Sequence, residues 1–289
     1  RILLKLCRYI NITMKAAVLL QGDPRFCSEF DLFLKNLQGF DQVDYFMYMW
    51  EQNTPTANLL QGDGHQVIAP AWQTLDRMWA LQKFQDLLPE GHRVVALELG
   101  NQNDVVYEPV TENFATETRQ GNVWKMIYSL YRANQLRLDY EKQNSVTYDM
   151  VIRTRPDVAL LDVLEAEHLM SHLNSDPNLL IMPRNKRCGY YGVMICDLFG
   201  IGSPETMTVY CDLYNQALEH HKAGCIFHPE TLLAKHLQYN NKRYWPGDFN
   251  IEFRHFGKWL DTETGEEYTS SAVPNWDNKI YISDFGRWA

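Results

Sequence analysis

The residues best suited to chemistry fall in four short segments. The first is Tyr148–Asp157, YDMVIRTRPD, where an apolar run ends in Arg153, Arg155 and Asp157 at alternate positions. If the extended conformation continues, these three side chains share one face. Two cations beside one anion are poor core material, because unpaired buried charge is costly. They suit a diphosphate, with the carboxylate on a divalent metal or a ribose; the alternative is an internal Arg–Asp salt bridge that pins the loop. The second segment is Gln21-Gly22-Asp23-Pro24-Arg25, directly after the first apolar run. Open α/β sheets bind ligands at such strand ends. Gly22 permits close backbone approach, and Arg25 offers a planar fork to a phosphate near a helix N-terminus. The plainer alternative is a tight turn with a solvated arginine.

The third segment is Cys196-Asp197-Leu198-Phe199, followed by Gly200 and Gly202. An aspartate leading into an apolar, glycine-bearing stretch is either a catalytic carboxylate in a cleft or a turn residue. The fourth is His228-Pro229-Glu230. His228 suits a metal or a phosphate, and Glu230 sits where the helix dipole favours an acid; an N-cap plus a first-turn acid reads equally well. The chain contains no G-x-G-x-x-G fingerprint, P-loop, G-x-S-x-G elbow or kinase signature set.

The elements that must position these residues alternate between strand and helix. Ala16–Gln21 is continuously apolar, as in a strand buried on both faces. Phe30, Phe33, Leu34 and Leu37 then recur at helical spacing. Strands are expected at Asp44–Trp50, His65–Pro70 and His92–Leu99, with a helical stretch around Leu75 to Leu88. Gly121 to Gln143 is the clearest helix, carrying Val123, Ile127, Leu130, Tyr131, Asn134 and Leu138 on one stripe. A strand at Tyr148–Thr154, a short helix near Glu165 to Leu173 and a strand at Leu179–Pro183 follow. Ser203-Pro204 caps a helix whose stripe runs Met207, Tyr210, Tyr214, Leu218, and Pro229 opens another that ends near Tyr239. Beyond residue 245 the chain reads as irregular until Lys279–Ser283. Glu51–Gly64 is the best candidate for a mobile loop. This alternation implies an α/β sandwich with a mainly parallel sheet.

Composition bounds the function. The chain has 289 residues, with 27 basic and 36 acidic side chains and a net charge of −9. That balance argues against a nucleic-acid surface, which works by neutralising phosphates with Lys and Arg. A local pair of arginines still leaves room for one small anionic ligand. No apolar run approaches the roughly 20 residues of a spanning helix, so a soluble, cytoplasmic protein is expected. Residues 1–13 precede Met14 and are read as a non-native or disordered leader. The six scattered cysteines form no C-x-x-C pair and read as small buried hydrophobes.

Taken in order, the G-x-P-R turn after the first strand, the DYFMYMW strand, the long helix, the VIRTRPD block, D-L-F-G-I-G-S and H-P-E resemble a group of uncharacterised glycosyltransferase-like proteins of phages, large viruses and bacteria. The resemblance covers about Lys15 to Leu237, and VIRTRPD is its most specific part. It implies a Rossmann-like GT-A fold over residues 14–245, with 246–289 as an irregular C-terminal annex packed on the same domain. It implies transfer of a sugar from a nucleoside diphosphate donor to a hydroxyl on a glycan or other acceptor. GT-A enzymes commonly hold Mn2+ or Mg2+ on an Asp-x-Asp motif; here the corresponding place reads Arg155-Pro156-Asp157, which matches only the second aspartate. Carried over, Gln21, Gly22 and Arg25 would line the nucleotide, Asp157 the metal or the ribose and diphosphate. Arg153 and Arg155 would add positive charge, Asp197 would be the base near the acceptor, and His228 and Glu230 would close the diphosphate side. The alternative is a catalytically degenerate nucleotide- or glycan-binding module of the same fold.

Overall fold

The computed structural model describes residues 13–22, 30–51, 84–110, 117–184, 195–253, 258–261, 267–269 and 279–282, with the backbone alone at 117–119 and from 252 onward. Strand β1 (Lys15–Gly22) is its axis. Ala16 to Leu20 are fully buried, as the unbroken apolar run demands of a strand covered on both faces. β1 pairs in parallel with β3 (Gln42–Trp50) on one side and with β5 (Met150–Thr154) on the other. Between β1 and β3 lies the two-residue strand β2 (Leu37–Gln38), which pairs in parallel with β7 (Leu164–Glu165).

Seven strands form the main sheet, in the order β10-β8-β9-β5-β1-β3-β4. The remaining members are β4 (His92–Gly100), β8 (Leu179–Met182), β9 (Gly200–Gly202) and β10 (Arg243–Pro246). The pairings β4–β3, β3–β1, β1–β5 and β8–β10 are parallel, whereas β9 runs antiparallel to both β5 and β8. The mainly parallel α/β sheet is therefore as expected, with one three-residue strand, β9, inserted against the grain. The chain leaves β1 towards β3 and β4, then returns to the other side of β1 with β5. The order of strands reverses between β1 and β5, which makes their C-terminal ends the topological switch point.

The strand expected at Lys279–Ser283 is present over Lys279–Ile282, and the described residues of the tail include further short strands. β11 (Ile251–Phe253) pairs antiparallel with β6 (Val158–Leu160). β12 (Lys258–Asp261) stands between β13 (Glu267–Thr269) and β14 (Lys279–Ile282) in a separate antiparallel sheet. The expected boundary at 245/246 also falls inside β10, a strand of the main sheet. Strands of three or four residues are too short to show a period of two, so the Trp, Asn and Gly around them dominated the reading. The strand expected at His65–Pro70, the loop expected after Glu51 and most of the Leu75–Leu88 helix lie outside the described residues; Phe84–Leu87 is helical.

Helix α1 (Phe30–Asn36) buries Phe30, Phe33 and Leu34. The long helix α2 (Glu117–Asn144) covers the other face of the sheet. Its buried stripe is less apolar than the sequence suggests: Ser129, Asn134 and Arg137 are all inside. Arg137 is fully satisfied there, with Nε on Asn134 Oδ1, Nη1 on Glu141 Oε1 and Nη2 on Thr208 Oγ1 at 2.7–2.9 Å. Helix α3 (Ala166–Ser175) buries Leu169 and Leu173.

The single helix expected after Ser203 is two. Ser203 does cap α4 (Pro204–Cys211), its hydroxyl accepting from the Thr206 N–H. The chain then breaks at Asp212 before α5 (Leu213–Lys222). Asp212 carries the stop: its side chain accepts from Asn215 Nδ2 instead of extending the apolar stripe. Cys196 and Cys211 are buried free thiols, as read, and Cys225 is a half-buried one. Cys7, Cys27 and Cys188 lie outside the described residues.

Helix α6 (Pro229–Tyr239) packs on α5 through two imidazoles. His220 Nε2 lies 2.9 Å from His236 Nδ1, and His236 Nε2 lies 2.7 Å from the Val209 carbonyl. A carbonyl accepts only, so His236 Nε2 carries the proton and its Nδ1 accepts from His220. Burial lowers both pKa values; Lys235 opposes a charge on His220, and Asp212 favours one on His236. A His that is harder to protonate folded than unfolded contributes stability above its unfolded pKa, and that stability is lost as pH falls below it. The melting temperature should therefore fall as pH is lowered from 6.5 towards 5. The double variant His220→Gln/His236→Gln should show a flatter profile over that range; an unchanged slope by calorimetry would remove the pair as its source.

Candidate functional site

The switch point collects most of the residues singled out above. Gln21, at the end of β1, is 2% exposed. One end of its amide is held by Ser129 of α2, Oγ to Oε1 at 2.5 Å, and its Nε2 has no partner among the described residues. Gly22 follows with φ +115°, a conformation that β-carbon-bearing residues rarely adopt. Among the described residues a β-carbon built there would meet nothing within 4 Å. Gly22 thus suits the direction in which the chain leaves the strand. Arg25 lies outside the described residues.

Arg153 lies across from Leu19 of β1 and Gly200 of β9. Leu19 and Gln21 share a face of β1, and Gln21 touches α2, so Arg153 stands on the α2 side of the sheet. Its side chain is fully buried, yet among the described residues Nε, Nη1 and Nη2 all lack a hydrogen-bond partner. Arg137, equally buried, has every nitrogen matched. Asp197, Tyr210 and the thiols of Cys196 and Cys211 lie within electrostatic range of Arg153. No carboxylate comes within ion-pair distance of it among the described residues. Thr154 is fully buried on the opposite face, and its hydroxyl is also unmatched.

The extended conformation does not run on to Asp157. The strand stops at Thr154, and a turn follows in which the Val158 N–H donates to the Arg155 carbonyl at 3.2 Å. Pro156 takes the second position of that turn, where its fixed φ fits. The turn folds Asp157 back onto Arg155, whose Nε and Nη2 donate to Oδ1 and Oδ2 at 2.9 and 2.6 Å. This is the internal Arg–Asp pair that stood as the alternative. Both oxygens of the expected metal ligand therefore accept from a guanidinium. Among the described residues no group of three or more His, Cys, Asp or Glu side chains has a metal-holding arrangement. The donor set around Asp157 does not fit a divalent cation.

Asp197 is half-buried in the segment before β9. Burial and the nearby Glu230 carboxylate raise its pKa, against the pull of Arg153 and Arg155. Glu230 and His228 form an ion pair at 2.7 Å at the start of α6. That hydrogen bond raises the His228 pKa, with a smaller push from Asp197. His228 is the N-cap by position, but its side chain makes no cap bond, so the plain capping role does not describe it. Asp197, Glu230, His228, Arg153 and Arg155 therefore act on one another through a shared electrostatic neighbourhood.

Sequence reasoning missed Ser129, Tyr210, Thr154 and Thr231. Ser129 lies on a long helix that reads as packing; the Thr231 hydroxyl, in the first turn of α6, is buried and unmatched. A cleft of about 780 Å³ runs along α6, lined by Cys225, Thr231, Lys235, Lys242 and Tyr244 among others. Its Lys242 is already paired with Glu205 and Asn178, so its charge is spent within the fold.

The contrast between the two buried arginines is measurable. Arg137→Met should lower stability by about 3–5 kcal/mol, since it leaves Glu141 and its neighbours unmatched. Arg153→Met should leave stability unchanged or raise it, by up to about 4 kcal/mol, because it removes a buried charge that makes no hydrogen bond or ion pair among the described residues. Urea midpoints at pH 7 read both; a large loss in Arg153→Met would make that arginine a structural residue.

No protein-family model matches the chain, and no curated protein matches it.

Proposed function

We propose that this protein is a glycosyltransferase that moves a sugar from a nucleoside diphosphate donor to a hydroxyl acceptor, on a Rossmann-like GT-A framework. The observation that carries this reading is the placement of the polar cluster. Gln21, Gly22, Arg153 and Arg155 come from the ends of β1 and β5, at the reversal of strand order in a mainly parallel sheet. Open α/β sheets bind nucleotides at that point.

Each residue then has a chemical role. Departure of a nucleoside diphosphate builds negative charge, and fixed cations in a poorly solvated site stabilise it far more than they would in water. Arg153 is such a cation, and Arg155 is a second, oriented by Asp157. His228, whose pKa Glu230 raises, adds a third group that carries positive charge when protonated. The acceptor hydroxyl needs a base, and Asp197 is a carboxylate made more basic by burial and by Glu230. Its raised pKa brings it nearer the working pH, where general-base catalysis is most efficient.

Supplying a panel of sugar nucleotides with simple glycosides should release free nucleoside diphosphate from at least one donor. Asp197→Asn should cut turnover by roughly 10²–10⁴-fold with donor affinity changed little. Turnover of the unaltered protein should fall as pH drops through a limb above the ordinary aspartate value of 3.8, and Asp197→Asn should lack that limb. Failure of every sugar nucleotide to bind would overturn the transferase reading. The Arg155–Asp157 closure favours one second reading, a binding module of the same fold. Donor binding without diphosphate release from any acceptor would establish it.

A further inference from the structure

Arg153 poses a physical problem that the described residues do not solve. Arginine carries its charge at every pH a protein survives. Burying it without partners costs several kcal/mol, and among the described residues the guanidinium is fully buried with all three nitrogens unmatched. The fold is able to satisfy a buried arginine, as Arg137 demonstrates with one carboxylate, one amide and one hydroxyl. Nor is the position forced by local structure. Arg153 occupies a strand position whose neighbours are Leu19 and Gly200, where an apolar residue would fit the sheet.

A second buried polar group shares its face. The amide of Gln21 is anchored at one end by Ser129 and unmatched at the other. Gln21 lies two residues beyond Leu19, the β1 partner of Arg153, so the two side chains stand on the same face of neighbouring strands. Gly200, on the other side of Arg153, is closely packed: a β-carbon there would press on Leu180 at 3.1 Å. Among the described residues two buried unmatched groups, one a fixed cation, thus share a face at the C-terminal ends of β1 and β5. Meanwhile Asp157 is closed by Arg155 through both oxygens.

We propose that Arg153, with Gln21 beside it, binds a phosphoryl group of the ligand directly, and that this site holds its phosphate without a divalent cation. The inference deepens the transferase reading and rests on it for the identity of the anion as a diphosphate. The guanidinium does the work of the metal: its planar fork matches two phosphoryl oxygens, and its charge is fixed in place before the ligand arrives.

Inorganic pyrophosphate is the probe, titrated calorimetrically into the full chain with EDTA and, separately, with Mn2+. Binding in EDTA is expected, with an affinity that Mn2+ changes by less than about threefold. Arg153→Met should weaken it by roughly 100-fold, the loss of two charge-assisted hydrogen bonds. Arg153→Lys, which keeps the charge but not the fork, should recover part of that loss. The melting temperature of Arg153→Met, unchanged or raised, shows that lost binding is not lost folding. Binding that appears only with Mn2+ would overturn the metal-free site while leaving the transferase reading intact. Undiminished binding in Arg153→Met would overturn the role of that arginine. Pyrophosphate bound as described, in a protein that turns over no sugar nucleotide, would sustain this site and overturn the transferase.

Discussion

Strand β1 is the constraint on which the rest of the structure depends. It is buried on both faces and paired in parallel on both edges. A strand in that position must be apolar along its length, and its neighbours on either side must arrive by separate crossovers. The reversal of strand order at β1 and β5 follows from this. So does the gap at their C-terminal ends, where the two crossover directions part. Everything polar in the candidate site is hung from that gap.

The interior holds two kinds of buried charge. Around Asp44, at the opposite end of the strands, the charge is matched several times over: Arg93 donates through Nε and Nη2, and the Tyr148 and Gln42 side chains donate as well. Arg137 is matched in the same manner. These groups fasten strands and helices together. At the switch point the pattern inverts: among the described residues Arg153, Gln21 Nε2 and the Thr154 hydroxyl are buried and unmatched. The two ends of the sheet thus differ in how far the described residues satisfy their polar groups.

The acidic members of the site are graded by their partners. Asp157 is committed to Arg155 across a two-residue turn. Glu230 is committed to His228. Asp197 has no such ion-pair partner among the described residues, and burial together with the nearby Glu230 carboxylate makes it harder to ionise than an ordinary aspartate. Two arginines, a histidine paired with Glu230 and the Asp197 carboxylate thus share one electrostatic neighbourhood in a chain that is acidic overall.

The sequence by itself determined the alternation of strands and helices, the parallel character of the sheet and the segments that carry the site. It could do so because an unbroken apolar run, a 3.6-residue stripe and a Ser-Pro cap are local consequences of burial and hydrogen bonding. Short elements escaped it: β9, β6 and the strands of the tail are too brief for a period to register, and the break at Asp212 hides within a continuous apolar pattern. Only the tertiary structure decided what the charged residues do. VIRTRPD is compatible with three side chains on one face or with a closed Arg–Asp pair. The turn at Pro156 selects the second for Arg155 and Asp157, and leaves Arg153 alone inside. Whether a charge or a polar group is matched depends on which side chains other strands and helices bring to it: Ser129 and Thr208 are far away in the sequence from Gln21 and Arg137, the groups they touch.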